Sequence, residues 1–158
     1  ASKSFNLAGL QQAVLFTRNQ QLKNDLAACM HRVGVVQGNI FGMVAAEAAY
    51  TYGDEWMDAV VEYVRENRDF AMDFIRTRIP EIKCEAQSGT YLMWLDCRGL
   101  GMDDQALREF MIHKAGLGLS EGYYFAPSLS GFMRLNAACP RSVLQKAMEQ
   151  LEAAVKTL

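Results

Sequence analysis

The chain has 158 residues, of which 51% are apolar and 22% charged, and its formal net charge is −2 at pH 7. The near-neutral charge argues against a nucleic-acid partner, because such partners normally require an excess of Lys and Arg on one surface. No apolar run approaches the roughly 20 residues of a membrane-spanning helix, so no membrane partner is expected. The composition predicts a globular protein with one domain, or one domain and part of another.

Four cysteines are spread along the chain, at Cys29, Cys84, Cys97 and Cys139, and none of them forms a CxxC pair. Structural zinc sites and thioredoxin-like motifs usually contain such pairs, so no metal site is expected. Most of these cysteines lie within apolar patterns, where a free thiol packs as a small core residue. We therefore predict buried free thiols and a cytoplasmic, reducing location.

The first third of the chain contains a short apolar run and two helical patterns. Residues 13–16 are apolar and predict a buried strand, and apolar residues recur at helical spacing over residues 21–32. Residues 40–52 form a second helical segment, which is rich in Ala and almost without charge. A helix that is apolar on every side is normally buried. We therefore expect something outside this chain to cover residues 40–52.

Residues 54–78 show the pattern of one long helix that ends before Pro80. This helix would be roughly 35 Å long, which suits a bridge between two lobes better than an element of one compact domain. We therefore predict a remnant of one domain over residues 1–53, a connecting helix over residues 54–79 and a small α+β domain over residues 80–158.

The second half of the chain has a different pattern, in which strands and helices alternate. Residues 82–85 and 89–97 predict two strands, and the second is apolar on both faces, which is typical of a strand sandwiched between two layers. Asp103 is a suitable N-cap for a helix over residues 104–114.

The clearest alternating strand covers residues 132–138. Met133 and Leu135 point to one face of this strand, whereas Arg134 points to the other. A guanidinium group can bind a carboxylate through two parallel hydrogen bonds, although a surface salt bridge is the ordinary role of a lone Arg. Pro140 then occupies the first position of a last amphipathic helix.

Four polar and aromatic residues have less specific interpretations. We expect Arg141 on the surface, in the first turn of the last helix. Asn39 could approach a cofactor or a partner, or it could cap the helix that follows it. Tyr123 and Tyr124 could line a cleft, although at least one of them is expected in the core.

Four segments together carry a resemblance to a known family: residues 1–10 (ASKSFNLAGL), 38–53 (GNIFGMVAAEAAYTYG), 88–96 (SGTYLMWLD) and 131–141 (GFMRLNAACPR). In this order and at these spacings they resemble segments of the class I/II, fold-type I, pyridoxal-phosphate-dependent aminotransferase superfamily. The resemblance is strongest to its cystathionine β-lyase-like C–S lyases, and it covers almost the full length of the chain.

This resemblance implies an α/β architecture, the C-terminal part of a pyridoxal-phosphate-dependent transferase fold. It would contain the end of the large cofactor-binding domain, the interdomain helix and the small α+β domain. Lys3, otherwise an ordinary surface lysine, would hold pyridoxal 5'-phosphate and act as the acid–base catalyst. Ser2 would hydrogen-bond the cofactor phosphate, and Arg134 would bind the substrate α-carboxylate.

The implied reaction is β-elimination from S-substituted cysteines, a class of small amino-acid substrates, with release of thiol, pyruvate and ammonia. An aminotransferase of the same fold is the main alternative. At Gln11 the general class I/II pattern has a phosphate-binding Arg, and this departure favours the C–S lyase branch.

Most of the family's cofactor pocket precedes the lysine. We therefore expect the chain to be the C-terminal portion of an enzyme and to be non-catalytic without the missing N-terminal part. The intact enzyme is expected to be a homodimer. A small effector-binding module that uses this fold is a weaker alternative.

Overall fold

A computed structural model of the protein describes residues 1–35 and 38–158. Its helices and strands are α1 (Gln20–Arg32), α2 (Ile40–Tyr52), α3 (Asp54–Arg78), β1 (Leu92–Asp96), α4 (Asp104–Glu109), β2 (Ser120–Glu121), β3 (Phe132–Asn136) and α5 (Arg141–Val155). A π-helical turn, Phe110–Lys114, continues α4. The bounds predicted for α2 and α3 are confirmed, and the prediction for α1 is confirmed to within one residue.

The chain forms two compact units, residues 1–60 and residues 61–158. The residues of α3 are divided between these units. The division into a domain remnant over 1–53, a connecting helix over 54–79 and a small domain over 80–158 stays a prediction.

The second unit is built on a three-stranded antiparallel sheet with the order β1-β3-β2. Its core contains residues of α3, α4 and α5 together with one face of β1 and β3. On that face Met93, Leu95, Met133 and Leu135 are buried. Burial of such side chains contributes roughly 1.5–3 kcal/mol each, so this unit has a substantial core of its own.

Two strand predictions in the second unit are wrong in detail. The segment 82–85 forms a single bridge, between Lys83 and Asp96, and no strand. In β1 only one face is buried, because Trp94 lies on the opposite face and is half-exposed. The predicted sandwich therefore does not occur among the described residues, whose core lies on one face of the sheet.

Polar side chains begin three of the helices, as their preferences predict. Asn19 accepts a hydrogen bond from Leu22 N, Asp103 accepts one from Ala106 N, and Asn39 accepts one from Phe41 N. The capping interpretation of Asn39 is therefore confirmed. Pro140 is the residue before α5, one position earlier than predicted.

The first unit leaves much of its apolar surface exposed. Residues 13–16 form no strand, and Phe16 is 90% exposed. The strand prediction is wrong for this structure because a strand needs a neighbour for its backbone hydrogen bonds, and the described part of the first unit contains no strand to pair with. In α2 only Gly42 and Ala46 are buried, and Phe41 is 76% exposed.

The prediction of buried thiols holds for one cysteine only. All four are free, but Cys29 is exposed on α1, Cys84 and Cys139 are half-buried, and only Cys97 is buried. Burial raises the pKa of the Cys97 thiol to about 12. The helical spacing around Cys29 did not imply burial, because no residue of α1 is buried in this chain.

Asn67 is a polar residue of α3 that the sequence pattern did not single out, yet it is fully buried. Its Nδ2 donates hydrogen bonds to the carbonyl oxygens of Ala137 (2.9 Å) and Cys139 (2.8 Å). Its Oδ1 accepts one from Nε of Arg141 at 2.7 Å. The amide thus satisfies both carbonyls of the turn between β3 and α5, and it attaches that turn to α3.

We expect the substitution Asn67→Ala to lower the free energy of unfolding by about 3 kcal/mol, because it leaves buried carbonyls without donors. Urea denaturation measures this. The matched control is Gln145→Ala on α5, since the Gln145 amide only bonds Glu149 on the exposed helix surface. The control should cost less than about 0.5 kcal/mol, and equal losses in the two variants would contradict the assigned role of Asn67.

Glu152 on α5 is a second buried polar residue. Its carboxylate oxygens lie 2.6 Å from Nζ of Lys156 and 2.6 Å from Nη2 of Arg78. The hydrogen bond from Lys156, and to a smaller extent the contact with Arg78, hold the pKa of Glu152 below its ordinary value of 4.5. The charged carboxylate therefore stabilises the folded state above that value, and the contribution disappears as the pH falls through the lowered pKa.

This linkage predicts a pH-dependent difference between the protein and its Glu152→Gln variant. The variant should have a lower urea midpoint at about pH 7, and the difference should shrink as the pH falls below 4.5 and through the lowered pKa of Glu152, where the carboxylate takes up a proton. A difference that stayed constant over this range would show that the ion pairs with Arg78 and Lys156 do not contribute.

Among the helices of residues 1–35 and 38–158, none is both long and apolar enough to cross a membrane. Over the same ranges, no group of three His, Cys, Asp or Glu side chains is arranged to hold a metal ion.

Candidate active site

Lys3 lies on a single backbone turn in the first unit, closed by a 3.0 Å hydrogen bond from Phe5 N to the carbonyl of Ala1. Asn6 ends the turn in the left-handed region, with φ of 55°. The Lys3 side chain is exposed, and within the described residues its amine makes no hydrogen bond or ion pair. The amine is therefore available to react with a carbonyl compound.

Ser2, next to Lys3, is half-buried, and its hydroxyl already makes one hydrogen bond within the protein. Its Oγ donates a hydrogen bond to the carbonyl of Gln12 at 3.1 Å. To donate to a phosphate group, the hydroxyl would have to turn away from Gln12. Its role as a phosphate ligand stays a prediction.

Gln11, at the position where the general class I/II pattern has Arg, is exposed and lies at the end of a short 3₁₀ turn, Ala8–Leu10. Its φ is 51°, an uncommon conformation for a residue other than Gly. Its side chain carries no charge, so it would contact a phosphate only through an amide hydrogen bond.

Arg134 occupies the middle of β3, in the second unit, opposite Trp94 of β1 and Ser120 of β2. Its Nη2 donates a 3.3 Å hydrogen bond to Oγ of Ser120. Its guanidinium carbon lies 4.4 Å from the centroid of the Phe125 ring, a cation–π contact. The Phe125 ring in turn meets Trp94 edge-on, with centroids 5.5 Å apart.

Arg134 has no carboxylate of the described residues within ion-pair distance. Half-buried guanidinium groups are usually paired with an acid, because removing an ion from water is costly. The Ser120 hydroxyl and the Phe125 ring contact the guanidinium group and hold it in place without neutralising it. The site therefore suits an external carboxylate, and the alternative of an internal surface salt bridge receives no support from these contacts.

Tyr123 and Tyr124 lie in the segment between β2 and β3, with ring centroids 4.3 Å apart. Tyr123 is half-buried and Tyr124 is 70% exposed, so neither belongs to the core. Hydrogen bonding to Tyr124 and Glu121 raises the pKa of Tyr123 above its ordinary value of 10. The phenol is therefore neutral near pH 7 and would be a poor general base.

Arg141 does not lie free on the surface, as its place in the first turn of α5 had suggested. Its Nε donates to Asn67, and its guanidinium carbon lies 4.7 Å from the Phe70 ring centroid. Its backbone N donates to the hydroxyl of Tyr63 at 2.7 Å. These contacts all come from one face of α3, so Arg141 has a structural role in attaching the start of α5 to α3.

Lys3 and Arg134, whose charged groups form no ion pair with the described residues, fit the requirements of a pyridoxal-phosphate enzyme. Such an enzyme needs one amine to bond the cofactor and one cation to bind the substrate carboxylate. Lys3 belongs to the first unit and Arg134 to the second. The contacts of Arg134 with Phe125 and Ser120 were not visible in the sequence, although the alternation of β3 did identify Arg134 itself.

No family model matches the chain. It is 34% identical over 154 residues to the cystathionine beta-lyase PatB of Bacillus subtilis (strain 168), which covers 98% of this chain and 40% of PatB. It is also 34% identical to the protein MalY of Escherichia coli (strain K12), over 99% of this chain and 40% of MalY.

A solved structure, cystalysin from Treponema denticola with a pyridoxal 5'-phosphate cofactor, superposes on 99% of this chain with a TM-score of 0.95 and 35% identity. The match covers 40% of that protein. The chain thus spans about 40% of the length of these relatives. The similarity confirms the expected fold, that of pyridoxal-phosphate-dependent aminotransferases and their C–S lyases.

Proposed function

We propose a function from the family to which the chain belongs, the pyridoxal-phosphate-dependent aminotransferase superfamily, in which it corresponds to the C-terminal portion of a cystathionine β-lyase-like C–S lyase. The intact enzyme removes a thiol from S-substituted cysteines. The net reaction consumes one water and yields the thiol, pyruvate and ammonia. The observation that carries the proposal is the similarity to a cystathionine β-lyase over 98% of this chain, combined with a Lys3 amine that has no partner among the described residues.

Lys3 would hold pyridoxal phosphate through Nζ. The bound cofactor supplies an electron sink for the pair released when the substrate Cα–H bond breaks. When it does not hold the cofactor, the Lys3 amine would take the proton from the substrate Cα. The same group, now an ammonium, can protonate the sulfur that leaves from Cβ. The Lys3 side chain suits this change of role, because it is exposed, has no partner among the described residues and lies on a closed turn.

Arg134 would bind the substrate α-carboxylate through its planar guanidinium group. Two parallel hydrogen bonds fix the orientation of the carboxylate and thereby the direction of the Cα–H bond. Phe125 and Ser120 already hold the guanidinium, so little side-chain entropy is lost when the carboxylate binds. This preorganisation supports the assignment of Arg134 as the substrate-binding residue.

The remaining length of the enzyme, about 60% judged from the relatives, would supply most of the cofactor pocket. It would also cover apolar side chains that this chain leaves exposed, such as Phe16, Ile40 and Phe41. We further propose a cytoplasmic homodimer for the intact enzyme, in keeping with free cysteines.

An aminotransferase is the second candidate, because both reactions begin with the same proton removal at Cα. The lyase is favoured because the relatives that are 34% identical include a protein named as a cystathionine β-lyase. The test is to give cystathionine to the intact enzyme and measure pyruvate and thiol. Amino transfer to a keto acid that exceeded pyruvate formation would overturn the lyase assignment.

We expect these 158 residues alone neither to retain the cofactor nor to turn over. The chain would be mixed with pyridoxal phosphate, passed through a desalting column and scanned for visible absorbance. Lys3→Ala is the control, because other surface lysines can bond the aldehyde weakly. A retained band that vanishes in Lys3→Ala would contradict this prediction, since it would mean that these residues suffice to hold the cofactor.

A further inference from the structure

We propose that Phe5 is a positioning residue for Lys3, and that its ring is held in place by contacts with Tyr50, Gly53 and Trp56. We call these three residues the Phe5 seat. The proposal rests on the proposed function of Lys3 and deepens it, because it states what fixes the backbone that carries the amine.

Two aromatic rings hold Phe5 from different directions. The Trp56 ring is stacked on it, with centroids 5.5 Å apart and an angle of 23° between planes. The Tyr50 ring meets it edge-on, at 5.6 Å and 84°. Offset stacking and edge-to-face contact are the two favourable geometries of aromatic pairs. Phe5 makes both at once, so its ring is constrained about more than one axis.

Gly53, between α2 and α3, allows the ring to approach. A Cβ atom at this position would lie 2.3 Å from the carbonyl oxygen of Ala49 and 2.5 Å from Cε1 of Phe5. The φ of Gly53 is −95°, which any residue can adopt. The requirement for Gly here is therefore one of space, because both the carbonyl oxygen of Ala49 and the Phe5 ring occupy the place that a Cβ atom would take.

The backbone transmits this constraint to Lys3. The hydrogen bond from Phe5 N to Ala1 O closes the turn around Lys3, and Asn6 turns the chain away directly afterwards. A fixed Phe5 thus fixes both ends of the turn, while the Lys3 side chain stays free of contacts in the described residues. A catalytic amine that must be displaced and return needs this combination of a fixed backbone and a mobile side chain. A misplacement of about 1 Å can cost roughly 10²-fold in rate.

The first test requires no cofactor. Hydrogen exchange of the Phe5 amide reports on the closed turn, and mass spectrometry of the peptide that contains Phe5 measures it. Gly53→Ala and Trp56→Ala should each speed this exchange by about tenfold, the factor that corresponds to one aromatic pair. Tyr52→Ala is the matched control, because Tyr52 is an exposed aromatic next to Gly53 that makes no ring contact with Phe5. Unchanged exchange in both seat variants would overturn the proposal.

The second test uses the intact holoenzyme. Trp56→Ala should lower kcat by about 10- to 100-fold with KM within about threefold, and should change the pH dependence of the bound cofactor's visible absorbance. Trp56→Phe keeps a ring against Phe5 and should restore both properties. Because Trp56 is half-exposed, these variants serve even if Gly53→Ala does not fold.

Equal kinetics and equal absorbance in wild type, Trp56→Ala and Trp56→Phe would overturn the positioning role. Failure of the proposed function is distinguishable from this outcome. An active Lys3→Ala enzyme would overturn the role of Lys3 itself, whereas unchanged exchange in the cofactor-free test overturns only the Phe5 seat.

Discussion

An intact enzyme that carries Lys3→Ala is expected to lose about 10³-fold in kcat and to release its cofactor on desalting. The loss has two sources, because the same amine bonds the cofactor and moves the proton at the substrate Cα. General acid–base catalysis alone contributes roughly 10²–10⁴-fold. Pyruvate formation under saturating cystathionine measures the rate, and the visible absorbance of the desalted protein measures the retained cofactor.

Lys23→Ala is the matched control for this experiment, since Lys23 is an exposed lysine on α1 of the same unit. Its rate and absorbance should equal those of the wild type. Lys3→Arg separates charge from chemistry, because a guanidinium keeps the positive charge but does not deprotonate near neutral pH. Full activity in Lys3→Ala or Lys3→Arg would contradict the proposed role.

The substitution Arg134→Ala is expected to lower kcat/KM, because it weakens binding of the transition state by about 2–5 kcal/mol. This is the usual cost of removing one partner of a close charge pair. This corresponds to roughly 30- to 5000-fold. The effect should appear mainly in KM, because the α-carboxylate is bound before and during the reaction. Arg134→Lys should recover only part of the loss, since an ammonium lacks the planar pair of donors.

Arg98→Ala is a closely matched control for Arg134. The Arg98 guanidinium carbon also lies near an aromatic ring, 4.9 Å from the centroid of Phe132, but its charge is already paired with Asp96 at 2.7 Å. We expect less than a threefold change in kcat/KM, in line with the small contribution of exposed ion pairs. If the Arg134 and Arg98 variants were equally impaired, the carboxylate-binding role would be wrong.

Local sequence signals predicted the helices well. The bounds of α2 and α3 follow from Asn39 as N-cap, from Gly53 between the two helices and from Pro80 beyond the second. Each of these signals acts over three or four residues, through backbone hydrogen bonds that a side chain completes or prevents. The residues that set the end of a helix therefore lie in the same short segment as that end, and the sequence of the segment is enough to predict it.

Residues 13–16 show where a local signal is insufficient. Their apolar character is typical of a buried strand, but a strand exists only if another strand accepts its hydrogen bonds. The described part of the first unit contains none, so these residues form no strand and their side chains are exposed. The resemblance had already predicted that part of the fold lies outside this chain.

The sequence was enough to predict the helices and, through the family resemblance, to point to Lys3 and Arg134, the two residues that we propose for the chemistry. It could do so because periodicity, caps and motif order are properties of short segments. The folded structure was needed to show that Asn67 binds carbonyls 70 and 72 residues away and that Phe5 stacks on Trp56. It was also needed to show that Arg134 contacts the Phe125 ring and forms no ion pair with an acid among the described residues. These contacts join positions far apart in the chain, and their partners become neighbours only when the core packs.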